Sequence, residues 1–196
     1  MTTDHPFQIP LSVGLRDDAR FENFYAQGNE LLCASLKATA HSEGEQFIYI
    51  WGNEGVGCTH LLQAICHEAD PVGRTAAYLP LDELKHLGGG ILEGMEFLDL
   101  VCLDSVDVVV GDTQWEEALF HFFNRIREQG NTLIIAAGAA PRYLGVKLPD
   151  LASRLSWGIV FQVQALDDDT KIKAIQMRAT ARGLEFSDDV ARYLLH

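Results

Sequence analysis

The apolar residues of this chain fall into two alternating patterns. Short, nearly unbroken apolar runs stand at Phe47–Trp51 (FIYIW), Ala76–Leu79, Leu98–Leu103 (LDLVCL), Thr132–Ala137 (TLIIAA) and Gly158–Gln164. Runs of this length without strict polar alternation suit strands covered on both faces, as in a parallel sheet. Between them, apolar positions return at helical spacing: Leu61, Leu62, Ile65 and Ala69 in one stretch, and Trp115, Ala118, Leu119, Phe122, Phe123 and Ile126 in another. The spacing predicts helices over about Glu30–Ala40, Thr59–Ala69, Leu81–Leu87, Thr113–Glu128, Leu148–Leu155 and Asp167–Arg182, with one more starting at Ser187. On the Thr113–Glu128 helix, Glu116, Glu117, Arg125 and Arg127 are expected on the solvated face and His121 in a structural place. Strand and helix alternate, so the expected class is α/β, a five-stranded parallel sheet flanked by helices.

The first run leads into the most informative stretch. After Trp51 come Gly52, Asn53, Glu54, Gly55, Val56, Gly57, Cys58, Thr59 and His60. They fit the phosphate-loop (P-loop) pattern G-x-x-x-x-G-K-[ST] at every position but the lysine, which is Cys58. Glycines at such a turn let backbone N–H groups close on phosphate oxygens without a Cβ in the way. The following helix aims its N-terminal amides at the same point. Thr59 offers the hydroxyl that in such loops ligands Mg²⁺. A glycine-rich turn without a ligand is the plainer alternative. Asp104, at the C-terminal edge of the third run, stands where an acid holds the water shell of Mg²⁺ opposite Thr59. Ser105 follows, where a hydrolase usually places a carboxylate to orient the attacking water. Asp107 is expected to lie too far along to substitute. The fourth run ends in Gly138 and Ala139, with no polar side chain to meet a γ-phosphate.

Composition narrows the function. The chain has 196 residues, 47% apolar and 22% charged, an ordinary globular balance. No apolar run approaches the ~20 residues of a membrane span. The start, MTTDHPFQIPLSV, has neither the basic region nor the apolar stretch of a secretory signal. Cys33, Cys58, Cys66 and Cys102 form no C-x-x-C pair and read as free thiols of a cytoplasmic protein. The net charge is −13, with only 15 Lys and Arg, so direct nucleic-acid binding is not expected. The acidic surplus suits solubility or a basic partner surface.

Two stretches keep alternatives open. Pro6 and Pro10 hold the start out of a helix. Gln8, Ile9, Pro10, Leu11, Ser12 and Val13 read either as a tail tucked onto the body or as a linear peptide for a partner's groove. Phe21, Phe24 and Tyr25 read either as core packing or as the wall of a base pocket.

FENF (Phe21–Phe24), YIWGNEGVGCTHLLQA, LVCLDSVD, WEEALFHFFNRI and above all LPDLASRLSWG (Leu148–Gly158) resemble AAA+ domains of the DnaA family, over nearly the whole chain from about Pro10. The resemblance implies a P-loop AAA+ core over residues 21–165. It implies a tail with a clamp-binding-like peptide at 1–20 and the beginning of a small helical lid at 166–196. It implies a nucleotide held by Gly52 to His60 with Phe24 and Tyr25, and Mg²⁺ at Thr59 and Asp104. Arg154 matches the family's arginine finger, which reaches across an interface to the nucleotide of a neighbouring DnaA; a surface residue paired with Asp150 is the plainer alternative. Gln8, Ile9, Leu11 and Val13 match the family's motif for the DNA polymerase sliding clamp (the beta subunit), which turns the reading of that stretch towards a clamp ligand.

Departures from the family pattern set the expected function. Cys58, Ser105 and Gly138 remove charge and polarity from the γ-phosphate side, while the amide cradle survives. A bound ADP or other nucleoside diphosphate is therefore expected, with little hydrolysis. The expected role is a regulator that, with the DNA-loaded clamp, stimulates ATP hydrolysis by DnaA and so prevents re-initiation of replication. Assembly into a homo-oligomer is compatible with this. An active P-loop ATPase and a nucleotide-free interaction module are the alternatives. The lid arginine used by the family has no assigned counterpart, because the chain ends within the lid, as a fragment would.

Overall fold

The computed structural model describes residues 14–195. The clamp-like stretch with Gln8, Ile9, Leu11 and Val13 lies outside the described residues. The five apolar runs become β1 (Phe47–Trp51), β2 (Ala76–Pro80), β3 (Leu100–Asp104), β4 (Thr132–Ala137) and β5 (Ile159–Gln162). All neighbours are parallel, in the order β2-β3-β4-β1-β5. Seven helices accompany them among the described residues: α1 (Glu30–Ala40), α2 (Cys58–Ala69), α3 (Leu81–Leu84), α4 (Thr113–Glu128), α5 (Pro149–Leu155), α6 (Asp168–Ala181) and α7 (Asp188–Leu195). None is long and apolar enough to cross a membrane.

The strands lack polar alternation because both faces are covered. Ile48, Ile50, Leu100, Cys102, Ile134 and Ala136 point into one core, with Leu32 and Leu36 of α1 and Leu61, Leu62 and Ile65 of α2. Phe47, Tyr49, Val101, Leu103, Leu133 and Ile135 point into the other, with Trp115, Leu119, Phe122, Phe123 and Ile126 of α4 and Leu151 and Leu155 of α5. The period of two along each strand thus divides one apolar run between two cores. Polar caps set the helix starts: Asp112 accepts from the amides of Gln114 and Trp115, and Asp167 accepts from that of Thr170.

Several expectations need correction. The third strand begins at Leu100, because a 3₁₀ turn over Met95–Phe97 takes up the approach. The third helix stops at Leu84 and finishes as a 3₁₀ turn over Lys85–Leu87. His121, expected in a structural place, is exposed with its ring against Phe120, and this needs no correction. Glu116 does not belong to the solvated face: it is 1% exposed. Its carboxylate accepts from the amides of Gly111, Lys147 and Leu148. Those bonds tie α4 to the segment that leads into α5. Burial pushes this carboxyl up, but the amide donors together outweigh it and hold it below the ordinary glutamate value.

Candidate functional site

The parallel sheet brings the ends of β1, β3 and β4 to one edge, where ligands of open α/β sheets gather. The chain leaves β1 at Trp51 and turns through Gly52 to Gly57 into α2. Gly52 N–H donates to the Ala137 carbonyl at the end of β4. Gly55 has φ +83° and Gly57 φ +105°, left-handed values that favour glycine. A Cβ on Gly57 would stand 2.8 Å from a ring carbon of Phe24, so the aromatic leans directly on the loop. The first helical bond joins Leu61 N–H to the Gly57 carbonyl. The amides of Cys58, Thr59 and His60 therefore open outward from the end of a 12-residue helix.

Thr59 Oγ1 donates to Asp104 Oδ2 at 2.6 Å, which puts the two expected metal-site residues together. Tyr78 on β2 also donates to Oδ2, at 2.8 Å, and Ser105 N–H donates to Oδ1, at 2.8 Å. Burial pushes the Asp104 carboxyl up, and these three donors oppose the shift. Cys58 is pushed up to about 12, first by burial and then by Asp104. Its thiol therefore stays protonated, and the thiolate that would repel phosphates does not form near neutral pH. Ser105 has φ +55°, a conformation that costs a non-glycine residue about 1 kcal/mol. Asp107 does reach the site: its Oδ1 accepts from Gly138 N–H at 2.9 Å. The 3₁₀ turn over Val106–Val108 folds it back towards the end of β4. A carboxylate thus sits where a polar γ-phosphate contact was missing from the sequence reading.

Two cavities adjoin across the loop. One, of about 550 Å³, is lined by Gly52, Cys58, Thr59, Asp104, Asp107 and Gly138. The other, of about 540 Å³, lies between Phe24, Tyr25, Val56, Leu166 and the α6 residues Lys171 and Ile175. Asn53, Glu54, Gly55, Gly57 and Arg178 border both. The pair suits a nucleotide, with phosphates in the first and a base beside the aromatics in the second. The His60 side chain turns away, its Nε2 lying 2.8 Å from the Arg20 carbonyl, so only its amide serves the cradle. The cations at the phosphate end are Arg16 and Arg178, neither of them on the P-loop. Sequence reasoning missed both, together with Tyr78. For Arg178 a signal existed: Lys171, Ala174, Ile175 and Arg178 follow the i, i+3, i+4, i+7 rule along α6.

Arg154 lies at the opposite end of the sheet. It is carried on α5, before the turn in which Gly158 lies against Phe47 at the start of β1. Asp150 is not its partner among the described residues. Its guanidinium carbon stands 5.8 Å from the Phe123 ring centroid and 5.6 Å from that of Trp157. Arg127 of α4 stands 5.1 Å from the same Trp157 ring. All three are cation–π contacts, which leave the charge in place.

Family models match two parts of the chain. One, for the bacterial DnaA ATPase domain, matches residues 91–162, and another, for the lid domain of Hda, matches residues 168–196. Domain III of the Thermotoga maritima replication initiation protein DnaA is 25% identical, over 92% of this chain and 81% of that one, with a TM-score of 0.80. AMPPCP-bound DnaA from Aquifex aeolicus is 30% identical, over 92% of this chain and 61% of that one, with a TM-score of 0.77. This chain thus spans about three-fifths of the length of the Aquifex protein. Thermotoga maritima RuvB, at 17% identity and a TM-score of 0.62, shares the fold.

Proposed function

The chain belongs to the DnaA family of AAA+ proteins, and from that premise we propose that it is a regulator which lends a guanidinium to a partner's ATP. One observation carries the reading. Arg154 is unneutralised by any described carboxylate and faces away from the chain's own P-loop. That P-loop holds a neutral thiol in place of a lysine.

The chain's own nucleotide is a structural ligand, ADP or another nucleoside diphosphate. The amides from Gly55 to His60 hold its phosphates, and Phe24 and Tyr25 flank its base. Cys58 brings no charge to a third phosphate, and Asp107 adds a negative one beside Gly138. Both disfavour ATP relative to ADP. Thr59 and, through water, Asp104 are the residues that would hold Mg²⁺, whose chemistry is to neutralise phosphate charge.

The proposed partners are DnaA, whose bound ATP receives Arg154, and the sliding clamp, met by Gln8, Ile9, Leu11 and Val13. The setting is cytoplasmic, and the outcome is restraint of replication initiation. A finger of this kind stabilises charge on the transferring phosphoryl group and is worth ~10³-fold or more in rate. The test is ATP hydrolysis by DnaA in the presence of this protein and DNA-loaded clamp. Arg154→Ala should leave clamp binding intact and abolish the stimulation. Full stimulation by the variant would refute the in-trans role.

A further inference from the structure

Trp157 is 49% exposed, an unusual state for so large an apolar ring just outside a core. The core does not account for it. Its ring meets Phe123, centroid to centroid, at 5.8 Å and 40°, and otherwise receives cations. Arg154 stands 5.6 Å from its centroid and Arg127 stands 5.1 Å from it. In a chain of net charge −13, two arginines share one ring and neither has an ion-pair partner among the described residues. The turn that carries Trp157 has little freedom. Gly158 has φ +96°, and a Cβ there would stand 2.4 Å from the Phe47 carbonyl oxygen. Phe123 is fixed in turn, edge-on against Phe47 at 4.8 Å. The aromatic pair is therefore rooted in the sheet, and the arginine it holds is half-buried beside it.

We infer that Trp157, backed by Phe123, is a positioning residue that presents the Arg154 guanidinium to a polyphosphate on a neighbouring molecule. This rests on the proposed role of Arg154. A ring face attracts the guanidinium without using its N–H groups, so the five donors stay free for oxygen acceptors. A carboxylate in the same place would occupy those donors and cancel the charge. Stacking also narrows the rotamers of a long side chain, so less order has to be acquired when the phosphate arrives. Arg127, on the same ring, adds a second positive charge to the face that meets the polyanion.

The test separates presentation from contact. DnaA ATP hydrolysis is followed with DNA-loaded clamp at saturating amounts of this protein, and the affinity of the assembly is measured apart. Trp157→Ala should lower the maximal rate about tenfold while the affinity holds, and Trp157→Phe, which keeps a ring face, should restore most of the rate. Acrylamide quenching of tryptophan fluorescence gives a second readout on the isolated protein. Trp115 is 5% exposed and Trp51 is partly buried, so the quenching is read in a Trp51→Phe background, where the accessible signal comes largely from Trp157, 49% exposed. Arg154→Ala should raise that quenching by uncovering the ring. An unchanged maximal rate for Trp157→Ala, a rate loss that Trp157→Phe does not rescue, or quenching indifferent to Arg154→Ala would each overturn the positioning role. Were Arg154→Ala itself to leave hydrolysis intact, the parent reading would fail, whatever the quenching showed.

Discussion

Cys58→Lys asks whether missing charge limits nucleotide affinity. Cys58 is the first residue of α2, beside Thr59 and among amides that open into the phosphate cavity. An ammonium ~4 Å from a phosphate charge gains about 4 kcal/mol at an effective dielectric constant near 20. Fixing a lysine side chain costs about 2 kcal/mol of that. The remaining ~2 kcal/mol corresponds to roughly 30-fold in affinity. Burial and then Asp104 push the Cys58 thiol up; at an ammonium the burial works against the charge, while the Asp104 carboxylate favours it. ATP should gain more than ADP, because its third phosphate lies on the side where Asp107 now adds negative charge. Titration calorimetry with ADP and with ATP, with and without Mg²⁺, reads the effect. Cys58→Gln controls for length without charge. Equal affinities for wild type and Cys58→Lys, or an equal gain from Cys58→Gln, would refute the charge-deficit reasoning.

Two further expectations follow from side chains that the sequence reading missed or misplaced. Arg178 borders both cavities and is exposed, so its attraction for the proposed phosphates would be partly screened; Arg178→Ala should weaken ADP binding about tenfold in low salt and less in high salt, as measured by calorimetry. Glu116→Gln leaves at least one of three buried amides poorly paired and should cost about 1–3 kcal/mol in thermal or urea unfolding. The folded-state value of Glu116 is depressed, so its contribution is full above its unfolded value near 4.3 and is lost as pH falls through the lower folded value. The gap in stability between wild type and Glu116→Gln should therefore narrow below about pH 4.3; a gap constant down to pH 2 would contradict the assignment.

The strands and long helices were legible because burial on two faces and on one face leaves different periods. The bounds of α4 (Thr113–Glu128) and β4 (Thr132–Ala137) agree with the spacing to the residue. The strand order was not legible, since nothing local in Phe47–Trp51 says that β4 and β5 will flank it. The P-loop and Asp104 were readable as motifs, and the structure brings Thr59 and Asp104 within hydrogen-bond distance. Glu116 was misplaced because helical periodicity separates apolar from polar but cannot see three distant amides converging on a carboxylate. Tyr78, Asp107, Arg178 and Trp157 were missed for a related reason. Each acts through a neighbour 26 or more residues away, or at the joint between two elements, where no spacing rule applies.

The two guanidinium-facing rings and the phosphate cradle occupy opposite poles of the same sheet. On the proposed reading, this makes the molecule a one-way connector, with a giving pole and a receiving pole. Contacts between unlike poles are heterologous, so a row built from them has two different extremities. A unit whose own pocket holds a spent diphosphate gains nothing from a visiting arginine. It completes its neighbour without being completed in return, and so has its use at one extremity of such a row.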